Sequence, residues 1–201
     1  MRRVVAVVVG ALTCFAWGAV SHMVLGLGDA GLKSIPPAAE AGLADIQSTS
    51  IPDSGLYYYP GMAAGTENDP AAQAEWQKKA DAGASGILLV NVGPGHGMNA
   101  RTFTVELLTD LAVATLALFL LCCAAGCCRT LISRVLFVAM LGAMSALLRD
   151  IPFWNWYGFP IKFTLAQFAD SFIGMALLGL VLALIAGKSL DACHSSDSAI
   201  S

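Results

Sequence analysis

Apolar residues run through this chain in four long blocks, covering residues 4–27, 103–123, 131–148 and 163–186. A helix rises ~1.5 Å per residue, so crossing a hydrocarbon core ~30 Å thick takes about 20 residues. All four blocks approach or exceed that length, the third most narrowly. Each is interrupted by at most one or two ionisable side chains, and the sequence between them is too polar for further spans. The pattern predicts an all-α membrane protein built on a four-helix transmembrane bundle.

Between the first and second blocks the periodicity changes. Asp69-Pro70 reads as an N-cap with proline at the first helical position, and Gly83 stands where a C-cap glycine is expected. Residues 71–82 therefore predict a helix, with Trp76 on its packing face. Residues 56–59 and 87–92 read as short strands bounded by glycine or proline, and a further helix is predicted over 38–46 after Pro36-Pro37. The expectation is a small extracytoplasmic α/β cap inserted between helices 1 and 2. A cap of this size rarely stands alone, so it is expected to rest on the span ends. The predicted organisation is residues 1–27 as the first span, 28–101 as the cap, 102–189 as spans two to four, and 190–201 as a disordered cytoplasmic tail.

Composition supports the membrane reading. Hydrophobic residues make up 57% of the chain and charged residues 12%, with mean hydropathy +0.69, whereas soluble domains carry about 25% charged residues. A net charge of -3 without a basic block excludes an electrostatic nucleic-acid binder. Charge placement predicts orientation. Arg2, Arg3, Arg129, Arg134 and Lys188 fall on one side if both termini are cytoplasmic. The 28–100 connection carries eight acids against Lys33, Lys78 and Lys79, and so belongs outside. The first block is too long for a typical signal-peptide core and lacks a clean cleavage site, so it reads as an uncleaved anchor.

Ionisable groups inside spans are costly and usually face the bundle interior. Asp110 lies inside span two with Glu106 one turn away on the same face; Asp170 lies inside span four near Gln167. His22 is in the last turns of span one, and Arg149-Asp150 closes span three. With alternating span directions, all four helices bring a polar group to one end of the bundle. The functional reading is an outward-open polar pocket or proton site built from His22, Asp110, Arg149 and Asp170. The plainer reading is a structural network in which Arg149 neutralises a carboxylate, Asp110 before Asp170.

Three other features are weaker. Cys122-Cys123 and Cys127-Cys128 lack the C-x-x-C spacing and a second ligand cluster, so they read mainly as small apolar packing residues. Gly93, Pro94, Gly95, His96 and Gly97 form a glycine-rich run with no G-K-[ST] after it, which reads as a joint and not a phosphate loop. Residues 152–160, with Trp154, Trp156 and Tyr157, read as an aromatic turn at the headgroup layer and a candidate surface for lipid or a partner helix. Small residues every fourth position, Gly179, Ala183 and Gly187 on span four and Ala139 and Ala143 on span three, predict close helix approach. No catalytic constellation, cofactor motif or metal-ligand set emerges, and no cofactor is expected.

The stretches Trp17-Gly18-Ala19-Val20-Ser21-His22-Met23-Val24-Leu25, Gly55-Leu56-Tyr57-Tyr58-Tyr59-Pro60-Gly61-Met62 and Trp154-Asn155-Trp156-Tyr157-Gly158-Phe159-Pro160 carry a resemblance. Together they resemble a group of small bacterial four-span inner-membrane proteins with one long loop after the first span. Members of that group often carry tryptophan where this chain has His22. The resemblance implies a multi-pass protein of the bacterial inner (plasma) membrane, and a meeting in space of the second and third stretches. It implies no activity. Two functions follow as expectations: a non-enzymatic accessory or interaction protein contacting membrane lipids, a membrane-protein partner or a second copy of itself, and a small transporter or proton-coupled subunit using Asp110 and Asp170.

Overall fold

The computed structural model describes residues 1–93 and 97–197, with side chains as far as Asp191. The chain divides into two units, the first holding residues 1–32 and 97 onward, the second residues 33–96.

In the first unit, α1 (Arg2–Ala19) continues into a π-helical turn over Val20–Val24, followed after the second unit by α4 (Ala100–Cys123), α5 (Leu131–Tyr157) and α6 (Ile161–Asp197). Among the described residues four helical stretches are long and apolar enough to cross a membrane, Arg2–Val24, Ala100–Cys123, Leu131–Tyr157 and Ile161–Asp191. Local chemistry fixes where they begin. The Asn99 carboxamide oxygen accepts from the Thr102 N–H at 3.0 Å. Thr130 and Ser133 cap α5 reciprocally, the Ser133 N–H donating to Thr130 Oγ1 at 3.0 Å and the Thr130 N–H to Ser133 Oγ at 3.0 Å.

Helix α6 packs along both α5 and α1, α1 packs on α4, and α4 meets α5 at few points. The core follows helical spacing: Ala114, Ala117, Leu118 and Leu121 on α4, Leu178, Leu182, Ala186 and Leu190 on α6, with Ala6, Ala11 and Val138 opposite them. Inside a bilayer, apolar burial gives helices little reason to associate, so close backbone approach matters more. At Gly142 a Cβ would lie 2.6 Å from the Ser171 carbonyl oxygen, and at Gly179 one would lie 3.1 Å from the Val135 Cα. The expected small-residue stripe on α6 is thus used against α5, while Gly142 was not singled out from spacing.

The end of the bundle away from the second unit's connections is tied by cations. Arg134 is buried; its Nε donates to the Cys128 carbonyl at 3.0 Å and its Nη2 to Asp191 Oδ1. Arg3 donates to Ser189 Oγ at 2.7 Å and to its carbonyl oxygen at 2.9 Å. These contacts explain a departure from expectation. The tail read as disordered from Leu190 is helical through Asp197, and Leu190 itself is buried; residues 198–201 lie outside the described residues.

The third span also differs, since α5 runs past residue 148, through Pro152, to Tyr157. Arg149 and Asp150 neutralise one another, so the helix can carry both without ending. It stops at Gly158, whose φ of 70° gives the left-handed cap that glycine adopts without strain. The aromatic turn expected over 152–160 is therefore mostly the last turns of a helix. Cys123, Cys127 and Cys128 are free thiols, and Cys122, which is disulfide-bonded, packs partly buried against the core. Burial and then the neighbouring Cys127 push the Cys128 thiol pKa up against the pull of Arg134, which disfavours the thiolate form.

The second unit holds α2 (Pro37–Ser50), β1 (Gly55–Tyr59), α3 (Pro70–Ala82) and β2 (Gly86–Val90). The strands pair antiparallel, from Gly55 opposite Val90 to Tyr59 opposite Gly86. The Asp69 side chain caps α3 by accepting from the Ala71 N–H at 2.9 Å. Trp76 is anchored as its position on the helix suggests: its indole N–H donates to the Pro60 carbonyl at 2.7 Å and its ring lies 6.2 Å from that of Tyr58. Gly83 follows α3 with extended backbone (φ -142°), not the left-handed cap. The glycine-rich joint falls partly on residues 94–96, His96 included, which lie outside the described residues.

Candidate functional site

The polar groups that the sequence places at one end of the four spans come together in the structure. A cavity of about 350 Å³ is lined by His22, Glu106, Asp110, Arg149 and Asp170, one or two from each helix. Its wall also includes Trp17 and Gly18 from α1, and Ser145 and Ser171 from α5 and α6. All four helices contribute to its wall, α4 and α5 meeting each other at few points.

Each side chain arrives there for a local reason. His22 sits in the π-helical turn, where the Leu25 N–H reaches back five residues to the Val20 carbonyl at 3.0 Å. Such turns are one-residue widenings of an α-helix and recur at functional sites. The Leu27 N–H then donates to the Ser21 carbonyl at 2.9 Å, folding the chain back so that Gly28 lies against the imidazole ring. His22 Nε2 stands 3.5 Å from Asp170 Oδ2, within ion-pair reach when the imidazole is protonated. Trp17 donates its indole N–H to the Asp170 carbonyl at 3.1 Å, and Gly174 leaves room for the indole against α6.

Arg149 does not have the partner expected from the sequence. Its Nε donates to Asp150 Oδ1 at 2.7 Å and its Nη2 to Asp150 Oδ2 at 3.2 Å, a two-pronged grip on the adjacent residue. Asp150 is 3% exposed, so this pairing answers the larger desolvation demand. The same Nη2 is 3.4 Å from Ser171 Oγ. Among the described residues no cation forms an ion pair with Asp110, while Asp170 has His22 at ion-pair distance and Arg149 near enough to act on it electrostatically. Oδ2 of Asp110 and Oδ1 of Asp170 are buried with no hydrogen-bond partner among the described residues. Buried carboxylate oxygens are normally hydrogen-bonded, and leaving them bare costs free energy. The cavity therefore holds unused acceptor capacity.

Trp154, Trp156 and Tyr157 do not join this cavity. They lie at the end of α5, 44%, 75% and 45% exposed. The rings of Phe153, Phe159 and Phe163 form a chain at 5.1 and 5.5 Å that braces the turn into α6. Among the described residues no group of three or more His, Cys, Asp or Glu side chains is placed to hold a metal ion. Sequence reasoning missed Trp17 as a wall residue and Asp150 as the partner of Arg149. The adjacency of Arg149 and Asp150 was the available signal for the second. The chain matches no protein-family model, no curated protein and no solved structure.

Proposed function

We propose that this chain is a non-enzymatic membrane protein that takes up a small cation, the proton included, in the cavity between its four helices, and acts as a small transporter or proton-coupled subunit through Asp110 and Asp170. The observation that carries this reading is the pair of buried carboxylate oxygens without partners. In a purely structural network Arg149 would be expected to satisfy one of them, yet it is spent on Asp150. A positively charged visitor supplies what the fold leaves out.

A reconstituted system tests this. Liposomes containing the protein should dissipate an imposed proton gradient, or accumulate methylammonium, faster than empty ones. Asp110→Asn should remove most of that excess rate, since it neutralises one of the two carboxylates on the route, with the protein still folded. Equal rates in empty and loaded liposomes would overturn the proposal.

The charge distribution and the resemblance support a setting in the bacterial inner membrane with both termini cytoplasmic and residues 33–96 outside. Reporter fusions after Lys33 and after Gly158 should then register outside, and a fusion after Arg129 inside. A cytoplasmic signal from the Lys33 fusion would reverse the map. A second reading rests on a different observation: the 75% exposure of Trp156, with Trp154 and Tyr157 beside it, favours contact of the α5 end with membrane lipid, a partner helix or another copy of the chain.

A further inference from the structure

A second cavity of about 320 Å³ adjoins the first. It is walled by Phe15, Met23, Met98 and Phe103, and it shares Gly18, His22 and Glu106 with the carboxylate cavity. The Phe15 and Phe103 rings meet edge to face at 6.1 Å. The two spaces differ in chemistry. One carries Glu106, Asp110 and Asp170 against a His22 and an Arg149 already engaged by Asp150; the other is mostly apolar, its polar groups being Thr102 and the shared His22 and Glu106. Each falls at the small end of the roughly 300–1,000 Å³ typical of ligand cavities.

We propose that the two cavities form one site for an amphiphilic organic ammonium ion, its ammonium among Asp110 and Asp170 and its apolar body against Phe15, Phe103, Met23 and Met98. This rests on the cation reading above and names the class of cation. An ammonium bearing three hydrogens can donate to the two partnerless oxygens, which a spherical ion would satisfy by charge alone. Flexible methionines beside two phenylalanines suit an apolar body of no single shape. A phospholipid ammonium would carry its phosphate into the same acidic space, so the ligand is a free amine.

The test uses the full chain in phosphatidylcholine nanodiscs, with 4-phenylbutylammonium as probe and empty nanodiscs subtracted for partition. Methylammonium and 4-phenylbutanol serve as comparisons, each lacking one half of the amphiphile. We expect saturable binding of 4-phenylbutylammonium at least about tenfold tighter than of the alcohol, the scale of a charge-assisted hydrogen bond. Asp110→Asn should weaken both ammonium ions by a similar factor, and Asp110→Glu, which keeps the charge, should weaken them less. Phe103→Ala should weaken 4-phenylbutylammonium about tenfold and leave methylammonium unchanged. If Phe103→Ala has no effect while Asp110→Asn still weakens methylammonium, the apolar half is refuted and the cation reading survives. If alcohol and ammonium bind equally, or if Asp110→Asn changes neither ion, both fall.

Discussion

Arg149→Leu is expected to lower the stability of this protein in detergent by about 3 kcal/mol, read as a clear drop in thermal unfolding midpoint. Removing one partner of a buried pair costs ~3–5 kcal/mol, because the other charge is left without compensation. The lower end applies, since the Arg149 side chain is 49% exposed while that of Asp150 is 4% exposed. Adding Asp150→Leu should recover most of the loss, as apolar replacement of both partners is often nearly neutral. Adding Asp110→Leu or Asp170→Leu should recover little. Rescue by Asp110→Leu in place of Asp150→Leu would show that the guanidinium serves the cavity acids and not its neighbour.

Gly142→Ala should also be damaging, although it adds a single methyl group. That methyl would sit 2.6 Å from the Ser171 carbonyl and 2.8 Å from the Met175 Cβ, so helix backbones would have to separate. Overpacking costs ~1–3 kcal/mol, and contacts this short place it in the upper part of that range. The ~1 kcal/mol by which alanine favours a helix over glycine therefore offsets it only in part, leaving a net loss of up to ~2 kcal/mol. Gly18→Ala is the internal control, because nothing lies within 4 Å of a Cβ there. It should leave the midpoint unchanged or raise it. A Gly142→Ala protein as stable as wild type would mean that α5 and α6 have slack at their crossing.

Much of the architecture was legible because it rests on one strong signal. A span needs a minimum length of apolar chain, so hydropathy locates all four helices, and helical phase gathers His22, Asp110, Arg149 and Asp170 at one end. Capping chemistry likewise located α3, since Asp69-Pro70 acts through neighbouring backbone. Pairing was harder to read. Which carboxylate Arg149 takes depends on relative burial, and the sequence does not reveal that Asp150 lies deeper than its position at a span end suggests. The extension of α5 through Pro152 was hidden because proline signals a break, whereas a membrane helix tolerates it. The continuation of α6 past Leu190 goes with contacts of Arg134 to Asp191 and of Arg3 to Ser189, pairings distant in sequence. Gly142 looks like any helical glycine until the facing helix is known.

The π-helical turn over Val20–Val24 separates two requirements that a membrane helix usually meets together. Hydrophobic length is set by the number of apolar residues, while the direction of each side chain is set by helical phase. A single extra residue barely alters the first and turns everything beyond it by roughly 100°. Natural variants of this chain with one residue fewer between Ala19 and Leu25 would thus still be long enough to span, yet would present a different side chain opposite Asp170. The histidine in this cavity is a matter of register, open to replacement by the loss of one residue from the turn.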